Sequence, residues 1–152
     1  MGWRIGELLV QKKWITWNQL EDALQVQKDT RKLLGEVLVE KNWLRRYYVY
    51  QALGEQNNIS FVDLPRTRIN PRAVDLLPMD FALKHTLIPI EICAGNLILG
   101  IASPLNSWPE AEIKQLTGMV SIQTVLCLPE HIRKAIDEEY GRIESAAVSS
   151  NR

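Results

Sequence analysis

Arg4-Ile5-Gly6-Glu7-Leu8-Leu9-Val10 opens a window, residues 4–27, that returns 29 positions later as Leu33-Leu34-Gly35-Glu36-Val37-Leu38-Val39 at the head of residues 33–56. Five residues, 28–32, separate the two windows. Nine of the 24 aligned positions are identical: Gly6/Gly35, Glu7/Glu36, Leu9/Leu38, Val10/Val39, Lys12/Lys41, Trp14/Trp43, Ala23/Ala52, Leu24/Leu53 and Gln27/Gln56. Ordinary composition would give about one or two matches by chance. Ile5/Leu34, Leu8/Val37, Gln11/Glu40, Ile15/Leu44 and Leu20/Val49 are conservative pairs. The chain therefore begins with a tandem repeat.

Within each copy the apolar residues keep helical spacing. Ile5, Leu8 and Leu9 fall on one face that closes at Lys12, and Leu20, Ala23, Leu24 and Gln27 share another. Thr16 followed by Gln19 has the form of a capping box for the second helix. Copy two carries Arg45 at the Thr16 position, which predicts a weaker start. Each copy reads as a short helix, a tight turn and a longer helix, so the pair predicts a pseudo-symmetric four-helix unit. Gly6 and Gly35 lie in the first turn of each copy. There a missing Cβ admits either close helix packing or the approach of a ligand.

Outward from the repeat, 152 residues with 46% hydrophobic and 24% charged residues are ordinary for a globular chain. Eighteen basic residues balance eighteen acidic ones, which argues against a nucleic-acid polymer as partner. No run approaches the ~18 apolar residues of a membrane span, and the expected location is the cytoplasm. The chain has no phosphate loop, no G-x-G-x-x-G, no H-E-x-x-H and no C-x-x-C. His85 and His131 stand alone, His85 at a helix end and His131 facing solvent. Asp137-Glu138-Glu139 reads as a solvated helix face. Cys93 and Cys127 sit in apolar runs and read as small buried hydrophobes. No enzyme, metal or cofactor is expected.

After residue 58, residues 59–64 read as a short strand. Asn70-Pro71 opens a helix that stops near Pro78, and residues 79–84 form another. Residues 87–93 and 97–102 read as strands joined through Ala94-Gly95-Asn96. Ser107-Trp108-Pro109 starts a helix closed by Gly118. A strand over 120–126 and a helix over 129–140, ended by Gly141, complete the pattern. The expectation is an α+β fold: a tandem helix-pair subdomain, residues 3–57, on an α+β subdomain with a mixed sheet, residues 58–141. Residues 142–152 are expected to be a disordered tail or linker.

The quoted residues resemble the MshEN-type domain, found at the N-terminus of type II secretion and type IV pilus assembly ATPases. Its pattern is two 24-residue copies of R-L-G-x-x-hydrophobic…L-x-x-x-L-x-x-Q with a five-residue spacer. The likeness continues through Phe61-Val62-Asp63-Leu64, Leu76-Leu77-Pro78, His85, Leu87-Ile88-Pro89-Ile90, residues 96–102 and Leu116-Thr117-Gly118. The resemblance implies a non-catalytic regulatory module that binds cyclic di-GMP through Arg4, Ile5, Gly6, Leu20, Leu24 and Gln27 of copy one. From copy two it implies Leu34, Gly35, Leu38, Leu53 and Gln56. Arg31 or Lys32, in the spacer, is expected to make up for Leu33, which stands where the family has Arg. Lys13 and Asn42 occupy a usual glycine position, and Ser103 that of an Asp before Pro104. The implied partners are cyclic di-GMP and secretion or pilus proteins at the inner membrane. The alternative is a protein-interaction adaptor with a degenerate ligand site. Trp14 and Trp43 are expected in the core; Trp3, Trp17, Tyr47, Tyr48 and Tyr50 supply aromatics that either pack internally or meet a partner.

Overall fold

The computed structural model describes residues 4–103 and 108–150, the last eight by backbone alone. The expected capping Ser107 and the aromatic Trp3 lie outside them. The chain divides into two compact units, residues 1–58 and 59–152.

The first unit has four helices: α1 (Ile5–Gln11), α2 (Trp17–Thr30), α3 (Leu34–Glu40) and α4 (Arg46–Gln56). Every start is displaced by the 29 residues of the repeat. The two turns repeat bond for bond. Lys13 N–H donates to the Val10 carbonyl at 2.9 Å and Asn42 N–H to that of Val39 at 3.0 Å. Trp14 N–H reaches Leu9 and Trp43 N–H reaches Leu38, both at 3.1 Å. Lys13 and Asn42 are left-handed, with φ of 61° and 59°. Thr16 and Gln19 form the expected capping box, whereas Arg45 makes no side-chain cap. The core takes equivalent residues from both copies, among them Leu9 and Leu38, Leu20 and Val49, Ala23 and Ala52, and Ile15 and Leu44. Trp14 and Trp43 are half-buried against it.

The second unit contains α5 (Pro71–Val74), α6 (Met79–His85), β1 (Leu87–Cys93), β2 (Asn96–Ile101), α7 (Glu110–Thr117), β3 (Ser121–Leu126) and α8 (Pro129–Ser150). The sheet order is β1-β2-β3. β1 and β2 are antiparallel, and β2 and β3 are parallel. Ala94 and Gly95 both have positive φ, 49° and 79°, as a two-residue hairpin turn requires. Pro89, which cannot donate a ladder bond, is tolerated because β1 is an edge strand, next to a bulge at Ile90. Asn70 caps α5 by accepting from Arg72 N–H. Leu87, Ile88, Leu97, Leu99, Ile113, Ile132 and Ile136 fill a separate core.

Four local expectations are corrected. Residues 59–64 do not form a strand. Pairing is confined to one bridge, Phe61 to Leu126, because Pro65 turns the chain into a short 3-10 helix, Leu64–Arg66. The last helix does not stop at Gly141 but runs to Ser150, so residues 142–150 are helical and not a disordered tail. One interior glycine costs a helix only about 1 kcal/mol. Cys93 is exposed, because β1 ends at the hairpin tip beyond the cover of the helices, whereas Cys127 is buried as expected. Glu139 is only 8% exposed rather than solvated, since it falls on the face of α8 that carries Ile132, Ala135 and Ile136.

Candidate functional site

The helices of the repeat pack both across the copies and within them. α2 packs chiefly on α3, and α4 on α1. Exchanging the copies turns one pair into the other, so the unit has pseudo-two-fold symmetry. The α2–α3 pair carries Leu20, Leu24 and Gln27 on one helix and Leu34, Gly35 and Leu38 on the other. The α1–α4 pair carries Ile5 and Gly6 on one helix, with Arg4 at its N-cap, and Leu53 and Gln56 on the other. The Lys12 ammonium meets the Glu55 carboxylate at 2.6 Å, which ties α1 to α4.

The glycines set the distance between helices. A Cβ on Gly6 would lie 2.5 Å from Leu20 Cδ1 and 3.0 Å from Leu34 Cδ2. One on Gly35 would lie 2.6 Å from Val49 Cγ1. In this structure the missing side chains thus admit neighbouring helices.

Burial sorts the expected ligand residues. Gly6, Leu20, Leu34 and Leu38 are buried. Ile5, Gln27, Gly35, Leu53 and Gln56 are half-buried. Arg4 and Arg31 are exposed, Arg4 at the N-cap of α1 and Arg31 left-handed at the end of α2. Leu24 is 45% exposed and lines, with Gln27, Glu21, Gln25 and Lys28, a shallow groove of about 460 Å³ along α2. Leu33, at the position of the missing motif arginine, is 64% exposed. Its N–H donates to the Glu36 carboxylate at 3.3 Å. Among the described residues no group of His, Cys, Asp and Glu could hold a metal ion, and no helix is long and apolar enough to cross a membrane.

A second concavity, of about 760 Å³, opens where the two repeat turns meet. Trp14, Trp43 and Tyr48 line it together with Lys13, Arg45 and Arg46. The Trp14 and Tyr48 rings lie 4.9 Å apart. Lys12 sits 5.2 Å over Trp14 and Lys41 5.1 Å over Trp43, the same cation–ring contact in both copies. Sequence reasoning treated the tryptophans as core and Arg45 as a poor cap, and so missed this cleft. Its signal was the break in the repeat at Thr16-Trp17 against Arg45-Arg46.

The family model of the MshEN domain matches residues 57–146. The chain belongs to the MshEN domain family. That match falls almost wholly in the second unit; the repeat is reached by longer likenesses. The MshEN chain is 29% identical over 140 residues to the type IV pilus assembly ATPase PilB of Myxococcus xanthus, covering 92% of this chain and 25% of that protein. It is 34% identical over 111 residues to PilB of Thermus thermophilus, 72% of this chain and 12% of the relative. It therefore spans a quarter or less of these two relatives. The structure of MshE with cdg, cyclic di-GMP, superposes with a TM-score of 0.77 at 25% identity, over 91% of this chain and 99% of that one. A match over 91% of 152 residues has to include most of the tandem repeat.

Proposed function

We propose that this MshEN domain is a non-catalytic regulatory module that binds cyclic di-GMP along its tandem repeat and serves type IV pilus or type II secretion machinery. The observation that carries this reading is the likeness of this chain, most of its repeat included, to the structure of MshE with cdg. The pseudo-two-fold pairing of α2 with α3 and α1 with α4 supports it. Cyclic di-GMP has two guanines and two phosphates, and such a ligand meets equivalent groups on a two-fold surface. In this reading Arg4 and Arg31 hold phosphate or guanine edges by charged hydrogen bonds. Gln27 and Gln56 supply amide contacts. Ile5, Leu24 and Leu53 form the apolar bed, backed by the buried Leu20, Leu34 and Leu38, and Gly6 and Gly35 keep the helix starts low.

Arg4 stands at the one motif arginine position that this chain retains. Its exposure means that truncation removes a contact without opening the core. Loss of a charged hydrogen bond costs about 1.5–3 kcal/mol, roughly 10- to 150-fold in affinity. Isothermal calorimetry with cyclic di-GMP is expected to show weakening of that order for Arg4→Ala and tightening for Leu33→Arg. Absence of heat from wild type at high micromolar ligand would reject the reading. The adaptor alternative draws on the exposure of Trp17, Tyr47 and Tyr48, and in that event becomes the better account.

A further inference from the structure

We infer that the cleft between the two repeat turns is a docking site for an acidic segment of a partner protein, one that carries an aromatic or aliphatic side chain beside Asp or Glu. The inference goes beyond ligand binding, because the cleft lining includes none of the residues assigned to cyclic di-GMP.

Charge is the first argument. The chain is neutral overall, yet Lys13, Arg45 and Arg46 line the cleft and no carboxylate does. The nearby Lys12 is already matched by Glu55. Lys13 and Arg45, both exposed on this lining, favour an anionic occupant.

The broken repeat is the second. Copy one has Thr16 and Trp17, and Thr16 caps its helix. Copy two has Arg45 and Arg46, and Arg45 makes no cap. An exposed cap position accepts Ser, Thr, Asp or Asn with a gain of about 1 kcal/mol. Fold stability alone thus gives no reason for Arg45, whereas a basic rim does.

The lining is the third. Tryptophan, tyrosine and arginine are the residues that carry most energy at protein interfaces. Trp14, Trp43 and Tyr48 are held by the turns and by α4. The cleft is open rather than enclosed, and at about 760 Å³ has room for several side chains of an extended segment. A nucleic acid would need a longer basic track than these three residues provide.

Selection of random dodecapeptides displayed on phage against the whole chain, followed by fluorescence polarisation with the enriched peptide, tests the assignment. Enriched sequences should pair Asp or Glu with Trp, Phe or Leu. Raising NaCl from 50 to 300 mM should weaken binding several-fold. The exposed double substitution Lys13→Glu with Arg45→Glu should weaken it at least tenfold while leaving the melting curve in place, and Tyr48→Ala should weaken it as well. No enrichment, enrichment of neutral or basic peptides, or undiminished binding to the double variant would each overturn the assignment. Calorimetry keeps the two readings apart: the double variant should bind cyclic di-GMP as wild type does. Loss of that ligand in the double variant would assign the cleft to the nucleotide and also overturn the docking site. If wild type takes no nucleotide, the peptide result is read on its own.

Discussion

Gly6 and Gly35 hold equivalent places, yet different side chains stand against them. The hydrogen of Gly6 points at the flexible end of Leu20, that of Gly35 at the β-branched Val49. A leucine methyl can rotate away, whereas valine in a helix has one strongly preferred rotamer. Overpacking costs about 1–3 kcal/mol and is offset by about 1 kcal/mol of helix propensity on going from Gly to Ala. Thermal melts should therefore show Gly35→Ala clearly destabilised and Gly6→Ala nearly unchanged; the reverse order would refute the packing argument. In the second unit, the Tyr140 hydroxyl donates to the Leu77 carbonyl at 2.8 Å. Burial, with a smaller push from Asp75, raises its pKa from 10 to about 12. A pKa raised by folding means stability that is whole below about pH 10 and falls away between 10 and 12. Tyr140→Phe strands a buried carbonyl and should lose about 1–3 kcal/mol at neutral pH. Urea titrations should show that deficit narrowing above pH 10. Cys127, pushed by burial up to about 12, titrates alike in both proteins and does not obscure the comparison.

At the scale of elements, the copies share one path but not one quality of construction. Thr16 accepts from Gln19 N–H at 3.1 Å, and Gln19 Oε1 accepts from Thr16 N–H at 2.9 Å, so α2 starts with a complete box. α4 starts without a side-chain cap. Thr16→Ala should lower stability by about 1 kcal/mol and Arg45→Thr should raise it by about 0.5–1 kcal/mol. The turns differ as well. A left-handed lysine carries a strain of about 1–2 kcal/mol that asparagine largely escapes. Lys13→Gly should therefore stabilise by about 0.5–1 kcal/mol after the entropy of glycine is set against it, and Asn42→Gly should change little. Urea midpoints at constant m-value measure all four, and a destabilised Lys13→Gly would contradict the left-handed turn.

At the scale of the whole molecule, two cores are kept by two units. The second unit supplies its own sheet, the helices on it, and a cluster from Leu64 to Tyr140 that needs no residue of the repeat. Residues 59–152 expressed alone should therefore give a cooperative melt with dispersed side-chain NMR signals. A broad, non-cooperative transition would show that the repeat is required for that core.

The tandem repeat, its order of short helix, turn and longer helix, the Thr16 cap, the hairpin at Ala94-Gly95 and the α+β class were legible in the chain itself. Each rests on interactions within about thirty residues, so periodicity, caps and turn residues reveal them. The expected ligand residues were legible only as a pattern; which of them share a surface was not. The start of α1 at Gly6 meets Leu20 of its own copy and Leu34 of the other, a gathering set by how the core closes. Cys93 and Glu139 were misplaced for the same reason, because burial belongs to the neighbours a residue acquires and not to its own hydropathy. The single bridge at Phe61 depends on where β3 ends in space. The cleft of Trp14, Trp43 and Arg45 exists because two turns 29 residues apart arrive at one end of the helical unit, and only the tertiary structure decides that.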